Sequence, residues 1–583
     1  MTAYRTTRPL LPMRRTQPDA AADVARLPSA QSPATLEVAR SRLTLAAVLF
    51  LAGFALLAMR AVDLGMAGGA PRTVSAPRYS EPVVEPRRGD IVDRNGEVLA
   101  TSLTTDSLYA DASRIKNPDA VARALVSVLP ELNVHRIRTK LASNKRFVWL
   151  HRKLTPDEKW QVNALGVPGL KFRQEEDRVY PHGRLAAHVL GHVDVDGKGL
   201  AGIEHYFDDR LSGVGRGDGA LRLSIDARVQ YAMTDELATV MRAHRAKGAA
   251  GVMMDVHTGE VLAMVSLPDF DPNDLDGVSR EARFNRASKG VYELGSTFKS
   301  FTFAAALDHG VADLSDGYDA TRPLRVARFT IRDDHPKARY LSLPEIFAYS
   351  SNIGTAQLAL DLGTERQRQF LGKLGLLDPV NLELTEVGAP MVPARWRRVS
   401  TMTVSYGHGI AVSPVNLTSA VAALVNGGRR IPATLVRQEE RWKPGRRVIS
   451  DRTSRTMRTL MRLAVVKGTG SKAEAVGYRV GGKTGTAEKA SGGGYAEGAL
   501  ISSFVGAFPM DDPRYVVFAL LDEPKGTDAT FGFKGGGWTA APVVRNVILR
   551  TAPLLGVNPR PKGGGLLQRV AHLMPEPVDG NGQ

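Results

Sequence analysis

Ser296-Thr297-Phe298-Lys299 sets a hydroxyl and an amine three residues apart at the opening of an apolar stretch, GSTFKSFTFAAALDHG. If that stretch is a helix stopped by His309-Gly310, the two side chains share a face and come within hydrogen-bonding reach. A serine hydroxyl is a weak nucleophile until a neighbouring base takes its proton. Lysine is such a base once burial and a second cation lower its pKa from ~10.4. A serine at a helix start also gains from the helix dipole as negative charge develops. The spacing alone carries little, since Ser113-Arg-Ile-Lys116 repeats it and reads as ordinary helix surface. Two further motifs keep the later instance company. Ser350-Ser351-Asn352 is the only Ser-x-Asn in the chain, and Lys483-Thr484-Gly485-Thr486 contains its only Lys-Thr-Gly. Each also has a purely structural reading, the first as a cap between LPEIFAY and IGTAQLALDLG, the second as a surface strand end.

Two other motifs mimic nucleotide sites. Gly197-x-Gly199-x-x-Gly202 fits a dinucleotide fingerprint but lacks the preceding strand and the surrounding βαβ unit, so it reads as a turn. Gly477 to Thr484 satisfies the P-loop expression, with VVFALLDE as an apparent acidic strand. A P-loop needs a strand before it and a helix running on from Lys-Thr. Here SKAEAV precedes it, and GTAEKASGGG reaches three glycines too soon for a helix.

The elements that must hold these residues read as α+β. GVMMDV (251–256), the turn His257-Thr258-Gly259 and EVLAMVSL (260–267) form a hairpin. SSFVGAFP (502–509) and RYVVFALLDE (514–523) supply late strands, and Ala541–Arg550 a late helix. Strands at both ends with helices between predict an antiparallel sheet completed by distant segments. Lys-Thr-Gly should lie on the strand beside the nucleophile helix. Earlier, Asp93-Arg94-Asn95-Gly96 is a turn between strand-like runs, and Pro118–Leu129 looks helical.

The 583 residues contain no cysteine, which excludes disulfide scaffolds, thiolate metal sites and cysteine nucleophiles. No metal site and no cofactor are expected. The net charge is +17, of which residues 1–42 hold +4 (seven Arg against Asp19, Asp23 and Glu37). The remainder is diffuse and aromatics are only 6%, against nucleic-acid binding. Leu43 to Met59 is 17 residues without a charge, roughly 25 Å as a helix, flanked by Arg40, Arg42 and Arg60. It reads as an uncleaved signal-anchor, with residues 1–42 cytoplasmic and the rest exported. The expected order is a cytoplasmic tail (1–42), transmembrane helix (43–60), stalk (61–86), mixed α/β N-terminal module (87–220), large catalytic domain (221–556) and flexible tail (557–583).

In the order SxxK, SxN, KTG, the three motifs resemble the serine acyl-transfer signature of penicillin-binding proteins and β-lactamases. The likeness extends to RRGDIVDRNGEVLA, Arg178-Val-Tyr180-Pro181, Gly199-x-x-Gly202-x-Glu204, LSIDARVQ, YELGSTFK, SYGHGIAVSP and GGWTAAP. The chain is thereby identified as resembling a class B penicillin-binding protein, most nearly the septal cell-division D,D-transpeptidases, from about Arg87 to about Leu549. That resemblance implies an elongated N-terminal module and a transpeptidase domain with a central antiparallel sheet flanked by helices. It implies peptidoglycan stem peptides ending in D-Ala-D-Ala as substrate, β-lactams as inhibitors, and a location in the bacterial inner membrane with the catalytic domain outside the cytoplasm. Division-complex partners, including a septal glycosyltransferase, follow in the same way. So do the residue roles: Ser296 as nucleophile, Lys299 as base, Ser350 as proton relay, and Asn352 on the donor amide. Lys483 with Thr484, Gly485 and Thr486 would hold the terminal carboxylate, and the N–H groups of Ser296 and Thr486 the oxyanion. Leu294 departs from the proline many relatives carry there. Two rivals stay open at this point: a β-lactamase or carboxypeptidase sharing the acylation site, and a non-catalytic penicillin-binding scaffold.

Overall fold

The computed structural model describes residues 33–66, 87–213, 219–326, 329–438, 445–491 and 494–560. The expected cytoplasmic tail up to residue 32, most of the stalk, and the C-terminal tail beyond 560 lie outside the described residues. Two compact units divide between Val84 and Glu85.

Among the described residues, the first unit is a single helix, Pro33–Met66, of 34 residues. Its stretch Arg40–Asp63 is long and apolar enough to cross a membrane, about 36 Å along the axis. This is longer than the 43–60 span expected from the charge-free run, and it takes up the first residues assigned to the stalk. Nothing from Arg60 to Met66 breaks a helix. Arg60 instead donates to Asp63 one turn on, at 2.9 Å.

In the second unit, chain order starts with β1 (Ile91–Val92) and the 13-residue β2 (Val98–Ala110). The turn between them is built as read: the Asp93 carboxylate accepts from the N–H groups of Asn95 and Glu97, and Gly96 takes φ +97°. β2 pairs antiparallel with β3 (Val148–Leu154) and with β4 (Leu170–Val179). The helices Pro118–Val128, Val134–Leu141 and Pro156–Ala164 close one core around Leu108, Leu125, Ile137 and Leu150. β5 (His192–Val193) and β6 (Gly199–Ala201) form a small hairpin, and β7 (Leu221–Arg222) returns to pair parallel with β1.

The module's sequence motifs meet in one buried ion network. Glu204, fully buried, accepts from Arg88 Nε at 2.6 Å and Arg178 Nε at 2.7 Å. Arg88 also donates to Asp208 and to the Glu204 carbonyl, and Arg178 to the Gly89 carbonyl. So many charged hydrogen bonds satisfy ions that burial would otherwise make expensive.

The large domain carries a five-stranded sheet. β8 (Gly248–Asp255) and β9 (Val261–Leu267) form the expected hairpin. Six short strands follow as separate pairs: β10 (Gly317–Asp319) with β13 (Tyr340–Ser342), β11 (Leu324–Val326) with β12 (Phe329–Ile331), and β14 (Arg429–Arg430) with β15 (Arg446–Arg447). The late strands β16 (Gly481–Ser491), β17 (Gly494–Phe508) and β18 (Tyr515–Asp522) complete the sheet in the order β16-β17-β18-β8-β9, all antiparallel. Every residue of β18 is buried, because helices cover both faces. Ala227–Ala243 and Ala540–Thr551 pack on one side; Pro414–Val425, Asp451–Val466 and Lys299–Asp308 lie on the other. Glu204→Gln should leave the buried Arg178 guanidinium without a carboxylate and Arg88 with Asp208 alone, lowering stability by about 3–5 kcal/mol, read as an earlier unfolding transition in denaturant.

Candidate active site

Ser296 sits half-buried in a 3-10 turn, Gly295–Phe298, that runs straight into the helix Lys299–Asp308. The predicted helix start is therefore tighter than an α-turn, which brings positions i and i+3 into line. Gly295 is required here: its φ is +54°, and a Cβ would meet the Thr486 carbonyl oxygen at 2.5 Å. Gly485 answers it from β16, where a Cβ would lie 2.4 Å from the Leu294 carbonyl oxygen. Two glycines thus let the nucleophile turn and the edge strand touch backbone to backbone.

Lys299 and Lys483 are both completely buried. Their ammonium groups converge on one hydroxyl: Lys299 Nζ donates to Ser350 Oγ at 3.0 Å and Lys483 Nζ at 2.9 Å, so the two nitrogens lie within about 6 Å. Lys299 also donates to the Ser350 carbonyl, and Lys483 reaches Thr484 Oγ1 at 3.3 Å. Burial pushes Lys299 down to about 7, against the opposing pull of Asp333 and Asp334. Burial, and then the charge of Lys299, hold Lys483 well below the ordinary lysine value. Two like charges at such a distance repel by about 3 kcal/mol at an effective dielectric of ~20, some two pH units. A site that disfavours two charges supplies a neutral amine near neutral pH. The Ser350 hydroxyl can then accept from one lysine and donate to the other.

The position of Ser350 comes from a helix junction. The helix Leu343–Tyr349 ends on Ser350 in the left-handed region, φ +64°, and Ser351 caps the next helix, Asn352–Leu362, by accepting from Gly354 N–H. Ser351 thus takes the cap that the sequence offered for Ser-Ser-Asn, while Ser350 turns its hydroxyl to the two lysines. Asp333, from the segment between β12 and β13, accepts from Ser351 Oγ at 2.8 Å, Asn352 N–H at 2.5 Å and Ile353 N–H at 3.0 Å. Asn352 Nδ2 donates to the Arg332 carbonyl. On β16, Thr484 Oγ1 shares a hydrogen bond with Thr469, and exposed Thr486 accepts from Gly536 N–H.

The motifs are assembled, with one difference. The lysine expected to contact Ser296 directly spends its hydrogen bonds on Ser350; such contacts often tighten only around substrate. Lys483-Thr484 lie inside a strand, which removes the P-loop reading. Gly197–Gly202 spans the β5–β6 hairpin and the start of a five-residue helix, and Ser113 belongs to a short surface 3-10 turn. Asp333, Thr469 and Gly536 escaped sequence reasoning. Asp333 and Thr469 lie in segments without pattern, and Gly536 in GGWTAAP, a motif noted without a task.

A buried lysine pair behind a serine at a helix start defines the class of serine acyltransferases with an SxxK nucleophile. Residues 249–549 match the penicillin-binding protein transpeptidase domain, and residues 83–227 the penicillin-binding protein dimerisation domain. The chain belongs to the class B penicillin-binding protein family. It is 44% identical over 486 residues, 82% of each chain, to the probable peptidoglycan D,D-transpeptidase FtsI of Caulobacter vibrioides. To the peptidoglycan D,D-transpeptidase FtsI of Escherichia coli it is 31% identical over 505 residues, 80% of this chain and 84% of that one. Penicillin-binding protein 3 of Mycobacterium tuberculosis in complex with ampicillin shares the fold at a TM-score of 0.65 and 25% identity, over 82% of this chain and 98% of that one.

With Lys299 as base, only the neutral amine is active, so β-lactam acylation should rise with pH through a midpoint near 7 and level off at higher pH. Asp333→Asn removes an anion that favours the ammonium, so it should move that midpoint to lower pH; stopped-flow acylation profiles of both proteins check this.

Proposed function

We propose that this chain is a peptidoglycan D,D-transpeptidase that cross-links stem peptides at the division septum through a serine acyl-enzyme. The observation that carries the reading is the pair of buried lysines meeting on Ser350 behind the Ser296 turn. Ser296 Oγ attacks the carbonyl of the penultimate D-Ala as neutral Lys299 takes its proton. The N–H groups of Ser296 and Thr486 hold the oxyanion, at a few kcal/mol each in comparable sites. Ser350 passes a proton to the departing D-Ala amine, and the Ser296 ester remains. An amine from a neighbouring strand then attacks the ester, Lys299 again taking and returning the proton. Lys483, Thr484 and Thr486 bind the terminal carboxylate along β16, with Gly485 allowing the close approach, and Asn352 orients the donor amide. A β-lactam enters the same sequence, but its leaving nitrogen stays tethered, so the adduct persists. The complexes of the Mycobacterium protein with ampicillin and aztreonam support this.

The Arg40–Asp63 helix anchors the protein in the inner membrane by a single pass, the flanking Arg40 and Arg42 keeping the N-terminus cytoplasmic and the body outside. The module up to about residue 220 is the non-catalytic part, and a septal glycosyltransferase and other division proteins are its partners.

A fluorescent penicillin should label the wild type with a long-lived adduct and leave Ser296→Ala unlabelled. No adduct in the wild type defeats the transpeptidase reading, and rapid loss of the adduct points to a hydrolase. A reporter active only in the cytoplasm should be silent when fused near residue 85; activity there would reverse the topology.

A further inference from the structure

Glu293 stands three residues before the nucleophile and has no task in the chemistry above. Three Cα steps keep it within about 11 Å of Ser296. Its side chain is only 11% exposed, and its carboxylate is held from two other elements. The N–H of Gly409 donates to Oε1 at 3.1 Å, and His408 Nδ1 lies 3.3 Å from Oε2. The Tyr495 hydroxyl lies 3.1 and 3.2 Å from the two oxygens, and its ring stacks on that of His408 at 4.6 Å. The loop carrying His408 and Gly409 is pressed against the nucleophile turn, since a Cβ on Gly407 would meet the Gly295 carbonyl oxygen at 2.1 Å.

Tyr495 arrives on a separate structure. β16 and β17 go on pairing after β18 has ended opposite Ile501, with Glu488 opposite Leu500 and Ala490 opposite Tyr495. The two strands therefore project past the sheet as a ribbon, and the Tyr495–Glu293 hydrogen bonds tie the ribbon at Tyr495 to the Ser296 turn. All of this positions one carboxylate without neutralising it by a permanent cation: among the described residues, its one ion-pair partner is His408, and no lysine or arginine pairs with it. An ionised carboxylate has about four lone-pair sites, and three protein donors leave room for one more.

We propose that Glu293 is a recognition site for an ammonium group of the stem peptide. This rests on the transpeptidase reading. Stem peptides of this substrate class carry a diamino acid immediately before the terminal D-Ala-D-Ala, so an ammonium arrives with both strands: as the side chain of the donor, and as the resting form of the acceptor amine, which gives that proton to solvent before it attacks the ester. Either one meets, at the rim of the nucleophile turn, a carboxylate already held in place by Tyr495, Gly409 and His408. A charge-assisted hydrogen bond from such an ammonium is among the stronger kinds available to a partly exposed site.

The test uses the full chain with synthetic pentapeptide donors whose diamino-acid amine is free or acetylated. The donor arm reads kcat/KM for D-Ala release. The acceptor arm reads the peptide-amine concentration at which the acyl-enzyme divides equally between amine and water. For the donor source, the wild type prefers the free amine by about tenfold and Glu293→Gln loses the preference. For the acceptor source, the half-partition concentration rises about tenfold in Glu293→Gln. Tyr495→Phe keeps the charge and removes one of its holders, so it should lose part of the same preference; it decides the matter if Glu293→Gln does not fold. Variants melting near the wild type with both arms unchanged within about twofold overturn the proposal. A wild type that forms a penicillin adduct yet shows neither preference also overturns the ammonium site alone, whereas one that forms no acyl-enzyme with any donor or penicillin overturns the transpeptidase reading and this proposal with it.

Discussion

The hydroxyl of Ser350 is the point on which the catalytic domain converges. Two lysines buried without a carboxylate would be an expensive arrangement, and here each finds a hydrogen bond to the same oxygen. To bring that oxygen into place, one helix must end in a left-handed residue and the next must begin immediately, pinned by Asp333. To bring the lysines to it, the nucleophile turn and the edge strand must meet at backbone distance, which Gly295 and Gly485 permit. The apolar core on that face of the sheet then has a second function: it keeps water from the amines, and the dryness lowers their proton affinity.

Asp333 and Asp334 set a limit on this dryness, since both favour the charged form of Lys299. Asp333 is also the anion at the start of the Asn352 helix, where backbone N–H groups and the helix dipole welcome it. One carboxylate thus orders the loop that carries Ser350 and tempers the base, so its two effects on acylation oppose each other.

Much of this was legible in advance because the chemistry is packed into short, locally spaced motifs. Ser296 and Lys299 share a turn, Lys483 to Thr486 share a strand, and the hairpin of β8 and β9 announces itself by its apolar runs and Gly259. What could not be read was long-range. Asp333 acts across a loop and Thr469 across a strand, with no local period or spacing to betray either; Glu293 and His408 lie in the quoted YELGSTFK and SYGHGIAVSP motifs, but their meeting with Tyr495 joins three distant segments. The Arg88–Glu204–Arg178 network was seen only as three unrelated motifs, since sequence shows the residues and not the closure that unites them. The helix Pro33–Met66 outran its expected bounds because the expectation followed charge, whereas helical hydrogen bonding continues past the last apolar residue.

The strand order β16-β17-β18-β8-β9 places the first and last parts of the catalytic domain side by side, with the nucleophile helix between them in sequence. A chain emerging N-terminus first therefore presents Ser296 and Lys299 long before Lys483 exists to complete the site. Until β18 docks on β8, the β16–β17–β18 meander stands apart from the earlier strands, and Lys299 has neither its companion nor its dry surroundings. The two lysines gain their shared burial only once the last strand closes. That timing follows from which strands neighbour which.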